Sequence, residues 1–214
     1  MTRTLRLIVL HSTKFGEKTL VLHGLCDEGG RSSFLVPAGR GAAMLMPLSI
    51  LEGEAAENPR SELRRLHGVS ALYPLTGLRT NPGKSAISLF LSEVLYRSVR
   101  EDAFSEALFD WCCRQILALD ALPRDFSNFH LRFLLEYAAI LGFAPSGEGL
   151  MPFAGARLSG LLALSQAPFA DAMLLPFSGA QRSEMADALL RYLGFHLEMR
   201  LDVRSLKVLR ELFR

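Results

Sequence analysis

An α+β fold is predicted for this chain: a small antiparallel β-barrel over residues 1–80 followed by an all-helical domain over 81–214. Two changes along the sequence carry that prediction. Up to about Pro74, apolar residues recur with the short period of strands, interrupted by turn clusters such as Asp27-Glu28-Gly29-Gly30. After Asn81-Pro82-Gly83 the period becomes helical, least regularly over 143–182, and a helical pattern closes the chain at Phe213. With 214 residues, half of them hydrophobic, the chain can bury a full core, which excludes intrinsic disorder.

The elements follow in order. Leu5, Leu7 and Val9 alternate with Arg6, Ile8 and Leu10, and after the turn Thr13-Lys14-Phe15-Gly16-Glu17 the alternation resumes at Leu20 and Leu22, a first hairpin. Ser32, Phe34 and Val36 line one side of a third strand, which Pro37 stops; Gly39-Arg40-Gly41 reads as a loop. A fourth strand is predicted across Leu48–Glu52 and a fifth across Leu66–Tyr73, with Asn58-Pro59 as the turn between them and a short helical segment over Glu62–His67 as the alternative. Five short strands with no crossover helix favour a small five-stranded antiparallel barrel of the OB or SH3-like kind over a parallel sheet.

Beyond residue 81, Ile87, Phe90, Leu91, Val94 and Leu95 mark a helix over 84–100, and Leu108, Phe109, Ile116 and Leu117 one over 104–120, expected to pair antiparallel. Capped by Asp125 or Ser127, the next segment carries Phe129, Phe133, Leu134, Tyr137 and Leu141 with little polar face, which predicts a central helix ended by Gly142. Residues 143–182, divided by Pro145, Pro152, Pro168 and Pro176, are irregular, with short helices over Leu158–Leu164 and Phe169–Leu174. Helices over 183–198 and 203–213, the last capped near Asp202, complete the chain. The short link from Tyr73 to Gly83, with two prolines, predicts that the halves move as one unit, Phe90 and Tyr96 packing on the barrel; limited proteolysis is the test.

No arrangement for covalent chemistry emerges. His11, His23, His67, His130 and His196 are scattered, without partners at metal-ligand or triad spacing. Cys26, Cys112 and Cys113 form neither a C-x-x-C site nor a disulfide framework. Gly83-Lys84-Ser85 lacks the upstream glycine of a phosphate loop, since position 78 is leucine, and reads as a helix N-terminus. No enzyme activity and no cofactor or metal are therefore expected. The apolar run from Leu5 is only six residues long and contains Arg6, so neither secretion nor membrane insertion is predicted, and a cytoplasmic protein is expected.

Charge points to a ligand. Residues 1–80 hold 10 Lys/Arg against 7 Asp/Glu, and residues 81–214 hold 14 against 15, so the basic excess lies in the barrel. Lys14, Lys18, Arg31, Arg40, Arg60, Arg64 and Arg65 interleave there with Phe15 and Phe34. Cations that track phosphates beside aromatics that stack bases are the means by which OB barrels hold single strands; the structural alternative is a solvated charged face over core aromatics. A second cluster, Arg200, Arg204, Lys207, Arg210 and Arg214, is equally explained by favourable charge at a helix C-terminus.

The run VLHSTKFGEKTL, the turn EGGR and the segment SFLVPAGRG resemble the N-terminal region of the RecO family of bacterial recombination mediators. The resemblance continues through PLSILE, NPGKSAISLFLSEVLYRSVRE, LFDW and FSNFHLRFLLEYAAILGF, and ends with LLRYLGFHLEMRLDVRSLKVLRELF, about four-fifths of the chain and weakest at 143–182. It implies an OB barrel plus a helical domain and a role in DNA repair and homologous recombination. Binding of single- and double-stranded DNA, strand annealing, and partnership with single-stranded-DNA-binding protein (SSB), RecR and, downstream, RecA also follow from it. The sequence departs from the family twice. No cysteine follows Cys113, so the zinc that many members hold is not expected. Between the third and fourth strands GRGAAMLMP carries only Arg40 where relatives carry several cations, which implies low intrinsic DNA affinity. A protein-binding adaptor with little DNA affinity is the alternative reading.

Overall fold

The computed structural model describes residues 2–56, 63–101 and 105–213, without the side chains of Thr2, Arg40 and Ala42. The turn expected at Asn58-Pro59, and Arg60, lie outside the described residues. Two compact units result, one of residues 1–76 with 91–120, the other of 77–90 with 121–214.

The first unit is built on strands β1 (Thr2–Lys14), β2 (Thr19–Cys26), β3 (Arg31–Pro37), β4 (Ile50–Ala56) and β5 (Arg64–Ala71). They close into a barrel in the order β1-β2-β3-β5-β4, as the strand pattern predicts. The stretch 64–71 is strand, so the helical alternative for it falls. One pairing departs from the expected antiparallel scheme: β3 and β5 run parallel through Phe34–Arg64 and Leu35–Arg65. Five strands returning in this order can meet last only with their directions aligned.

Closure depends on β1, which serves two partners. Its first half pairs with β4 from Thr2–Ala56 to Ile8–Ile50, and its second half with β2 from Leu7–Cys26 to Lys14–Leu20. A register shift between Val9 and His11 bends the strand from one neighbour to the other, as a bulge does. The interior is filled by Leu5, Leu7, Val9, Leu22, Phe34, Val36, Leu51 and Leu66. It is narrow: a Cβ at Gly24 would lie 2.7 Å from Leu7 Cδ1, so that inward position on β2 holds glycine.

Ile8, Leu10, Val21 and Leu25 are buried as well, although they lie outside the barrel interior. In this unit the second layer is residues 91–120, the end of helix α2 (Pro82–Ser98) and most of α3 (Glu106–Ala121). Tyr96 of α2 meets the rings of His11 and His23, as the sequence led us to expect of it, and the Arg6 guanidinium lies 5.4 Å from the Phe109 ring centroid. The turn 40–44 that follows β3 is a single 3₁₀ element instead of open loop.

The second unit contains α1 (Thr76–Thr80), the start of α2, and α4 (Phe129–Ile140), α5 (Gly147–Ala154), α6 (Leu158–Gln166), α7 (Phe169–Leu174), α8 (Gly179–His196) and α9 (Leu206–Leu212). α4 is buried over most of its circumference, with Arg132, Glu136 and Ala139 on its one partly open face, the central helix that its sequence predicts. Phe90, expected against the barrel, is here fully buried with its ring edge-to-face with His130 at 6.0 Å. Asn128, at the α4 N-terminus, donates to the carbonyls of Ala172, Met173 and Leu175, and Arg132 donates to those of Leu164, Ser165 and Ala167, closing the C-terminus of α6. Pro152 does not divide the chain but lies inside α5, near its end. α8 starts four residues before the expected position because Ser178 and Gln181 form a capping box.

Candidate nucleic-acid interface

Of the nine residues that the sequence set out as a possible DNA surface, Arg60 lies outside the described residues and the other eight fall into two groups. Lys14, Phe15 and Lys18 stand on the hairpin between β1 and β2, where Gly16 (φ 74°) makes the turn and Phe15 N–H donates to the Thr19 carbonyl. All three are exposed, Phe15 by 55%, and among the described residues neither lysine meets a carboxylate. Arg65 is exposed on β5, and Arg40 opens the 3₁₀ turn after β3. The Ala38 N–H donates to the Lys18 carbonyl, so the segment leading to Arg40 starts beside the hairpin.

The other group is structural. Phe34 is wholly buried in the barrel interior and offers no face to a base, which corrects its assignment as a stacking residue. Arg64 is drawn onto it, its guanidinium 5.0 Å from the Phe34 ring centroid and donating to Ser32 Oγ. Arg31 donates to the Tyr96 carbonyl at 2.8 Å and to Glu101 at 3.2 Å, and lies 4.9 Å from the Tyr96 ring centroid. Its guanidinium thus already has a carbonyl partner on α2 and a carboxylate partner just beyond it.

OB barrels commonly hold nucleic acid on the outer face of their second and third strands and on adjoining loops. Here the outward residues Val21 and Leu25 are buried beneath the unit's second layer. Among the described residues of this unit, the hairpin tip and Arg65 on β5 are exposed.

Sequence reasoning passed over two further features. His11 and His23 sit directly opposite each other on β1 and β2, their rings stacked at 5.9 Å, with Tyr96 against both and His23 Nδ1 2.8 Å from Ser33 Oγ. Their equal distance from the hairpin turn is the signal that would have paired them. The second feature is a groove of about 600 Å³ between the end of α8, the link 199–203 and α9. Leu190, Val203 and Leu206 line it with the exposed Phe195 and Met199, and Arg191, Arg200, Lys207 and Arg210 lie along it. Arg210 is paired with Asp187 at 2.5 Å, while Arg200 and Lys207 meet no carboxylate among the described residues. Arg214 lies outside them.

The remaining chemistry-bearing groups are quiet. Asn81 Oδ1 accepts the N–H groups of Gly83 and Lys84, and Lys84 is buried with its ammonium 5.6 Å from the Phe126 ring centroid, so the G-K-S run is a self-capped helix start. Burial pushes the Cys26 thiol up to about 12 and the Cys113 thiol to about 11, away from nucleophilic or metal-binding thiolate. Among the described residues no three His, Cys, Asp or Glu side chains gather as a metal set, and no helix is long and apolar enough to cross a membrane.

Similarity to known proteins spans almost the whole chain. The family profile described as "Recombination protein O C terminal" matches residues 79–149. The DNA repair protein RecO of Phocaeicola vulgatus is 33% identical over 233 aligned residues, covering 96% of this chain and 97% of that protein. RecO of Bacteroides fragilis is 37% identical over 145 residues, 65% of this chain and 60% of that one. RecO of Flavobacterium psychrophilum is 29% identical over 233 residues, 96% of this chain and 97% of its own length.

Proposed function

The chain belongs to the RecO family of DNA repair proteins, and from that premise we propose that it is a recombination mediator acting in the cytoplasm. It binds single- and double-stranded DNA, promotes annealing of complementary strands and, with RecR, helps load RecA onto single strands coated with SSB. Each step is an exchange of non-covalent contacts, so the protein works without a catalytic centre or a cofactor.

The observation that carries the DNA reading is an exposed aromatic between two unpaired lysines on the barrel rim. Phe15 supplies a stacking face worth about 1–3 kcal/mol per base, and Lys14 and Lys18 neutralise phosphates. Arg40 and Arg65 extend the path, and four neutralised phosphates give a salt slope of about −3 for a single strand. The Lys14→Ala/Phe15→Ala/Lys18→Ala variant should lose about 10- to 100-fold in affinity for a labelled oligonucleotide and flatten the salt slope by about 1.4, with its circular dichroism unchanged. Undiminished binding would move the interface to the cations of α8 and α9.

The covered sheet face favours the second reading, an adaptor with little DNA affinity of its own. Polarisation of a labelled single strand at low salt, with and without SSB, separates the two. Signal only in the presence of SSB supports the adaptor.

The SSB tail is acidic and ends in an apolar residue. The groove between α8 and α9 suits it, with an apolar floor of Leu190, Val203 and Leu206 and two cations along it, Arg200 and Lys207, that meet no carboxylate among the described residues. Arg200→Glu with Lys207→Glu should weaken binding of a tail peptide at least about tenfold while sparing DNA binding at the hairpin. A peptide that binds the double variant as well as the wild type is held elsewhere.

A further inference from the structure

We propose that His11 and His23, paired across the β1–β2 ribbon, form a proton-gated phosphate site that grips the DNA backbone behind the hairpin tip. The inference rests on the reading of the hairpin as a DNA interface and adds to it a ligand group and a dependence on pH.

The two imidazoles lie opposite each other in the ladder with their planes 16° apart. Tyr96 packs on both at 5.0 and 5.1 Å, and holds the pair from the α2 side. Ser33 Oγ, from β3, is 2.8 Å from His23 Nδ1. His11 remains exposed, on the strand that runs on to Lys14. Three residues of β-ribbon span about 10 Å.

The charges around the pair explain why it waits for an anion. β3 presents the guanidinium of Arg31, and among the described residues beyond the end of α2 the carboxylate of Glu101, 70% exposed at its side chain, is already engaged by Arg31. On α2 itself Arg97 is closed onto Glu93. β1 ends at Lys14, and the turn beyond it adds Lys18 and the carboxylate of Glu17 at the tip. Two imidazolium ions facing each other in this setting repel one another and Arg31, and burial, His11 and Arg31 together push the His23 pKa below its ordinary value. A phosphodiester supplies the missing negative charge and accepts the imidazolium N–H groups. By linkage, a ligand that favours the protonated pair binds more tightly as pH falls and takes up protons as it binds. A purely structural stack that only orients Tyr96 has no such dependence on DNA.

The test uses the full chain and a fluorescein-labelled oligo-dT, with affinity measured at pH 6, 7 and 8 and constant ionic strength. Wild-type affinity should rise about three- to sixfold from pH 8 to pH 6 for each proton taken up with a one-unit shift, and the His11→Gln/His23→Gln variant should lose that slope. Proton NMR of the wild type, needing no variant, should show the His23 titration midpoint moving upward when the oligonucleotide is added. Binding with a flat wild-type pH profile, a slope retained in the double variant, or a His23 midpoint unmoved by DNA would overturn the inference while leaving the hairpin reading intact. Absence of DNA binding at every pH would remove the hairpin reading and this inference together.

Discussion

Replacing Phe34 by Ala is expected to destabilise the barrel by about 3–5 kcal/mol, because the ring is fully buried and its loss leaves a cavity that five closed strands cannot collapse into. The substitution acts twice. It removes the apolar contacts with the rest of the interior, and it takes away the surface on which Arg64 lies. Phe34→Leu keeps most of the volume and should cost about 1.5 kcal/mol or less. Urea unfolding followed by far-UV circular dichroism measures both. The pair also separates core from interface, since Phe34→Leu should leave oligonucleotide affinity unchanged while Phe15→Ala reduces it with little loss of stability. Equal loss of affinity in Phe34→Leu and Phe15→Ala would show that the barrel wall takes part in binding.

The contrast between these two phenylalanines marks how far the sequence is legible. The alternation of Ser32, Phe34 and Val36 already puts Phe34 on the same side as Val36, the inward one, whereas Phe15 sits beside a glycine in a turn. The number of strands, the central helix α4 and the stop at Gly142 follow from the same local periodicities. The fate of Arg31 does not. Whether an arginine on β3 faces water or the Tyr96 carbonyl depends on which segment folds over the barrel, a contact between residues 65 apart. The unbroken run Leu7-Ile8-Val9-Leu10 does signal it, because a strand apolar on both sides belongs to a sheet covered on both faces. The start of α8 was equally available in Ser178-x-x-Gln181. Contacts such as His11 with Tyr96, and the groove between α8 and α9, arise from tertiary packing and have no local pattern beyond the matched positions of the two histidines.

The largest pH effect on stability is expected from His130, in the first turn of α4. Its ring is fully buried, and burial, with the nearby Arg182 guanidinium, depresses its pKa from 6.5 to about 3. In the unfolded chain the imidazole titrates near its ordinary value, so between about pH 6.5 and 3 the unfolded state binds a proton that the folded state refuses. Stability from this group is therefore complete above about pH 6.5 and falls as the pH drops, by about 1.4 kcal/mol per unit. At pH 5 the loss is about 2 kcal/mol, and it approaches about 5 kcal/mol near pH 3. Above pH 5 most carboxylates remain ionised, so a decline between pH 7 and pH 5 belongs mainly to histidines. His23, with its pKa also lowered, adds a smaller change of the same sign. Urea midpoints at pH 7, 6 and 5 should fall in the wild type, and His130→Phe, which keeps a ring against Phe90 but cannot take a proton, should remove most of that fall. A midpoint in His130→Phe that drops as steeply as in the wild type would place the acid sensitivity in other groups and show that the His130 site admits water on protonation.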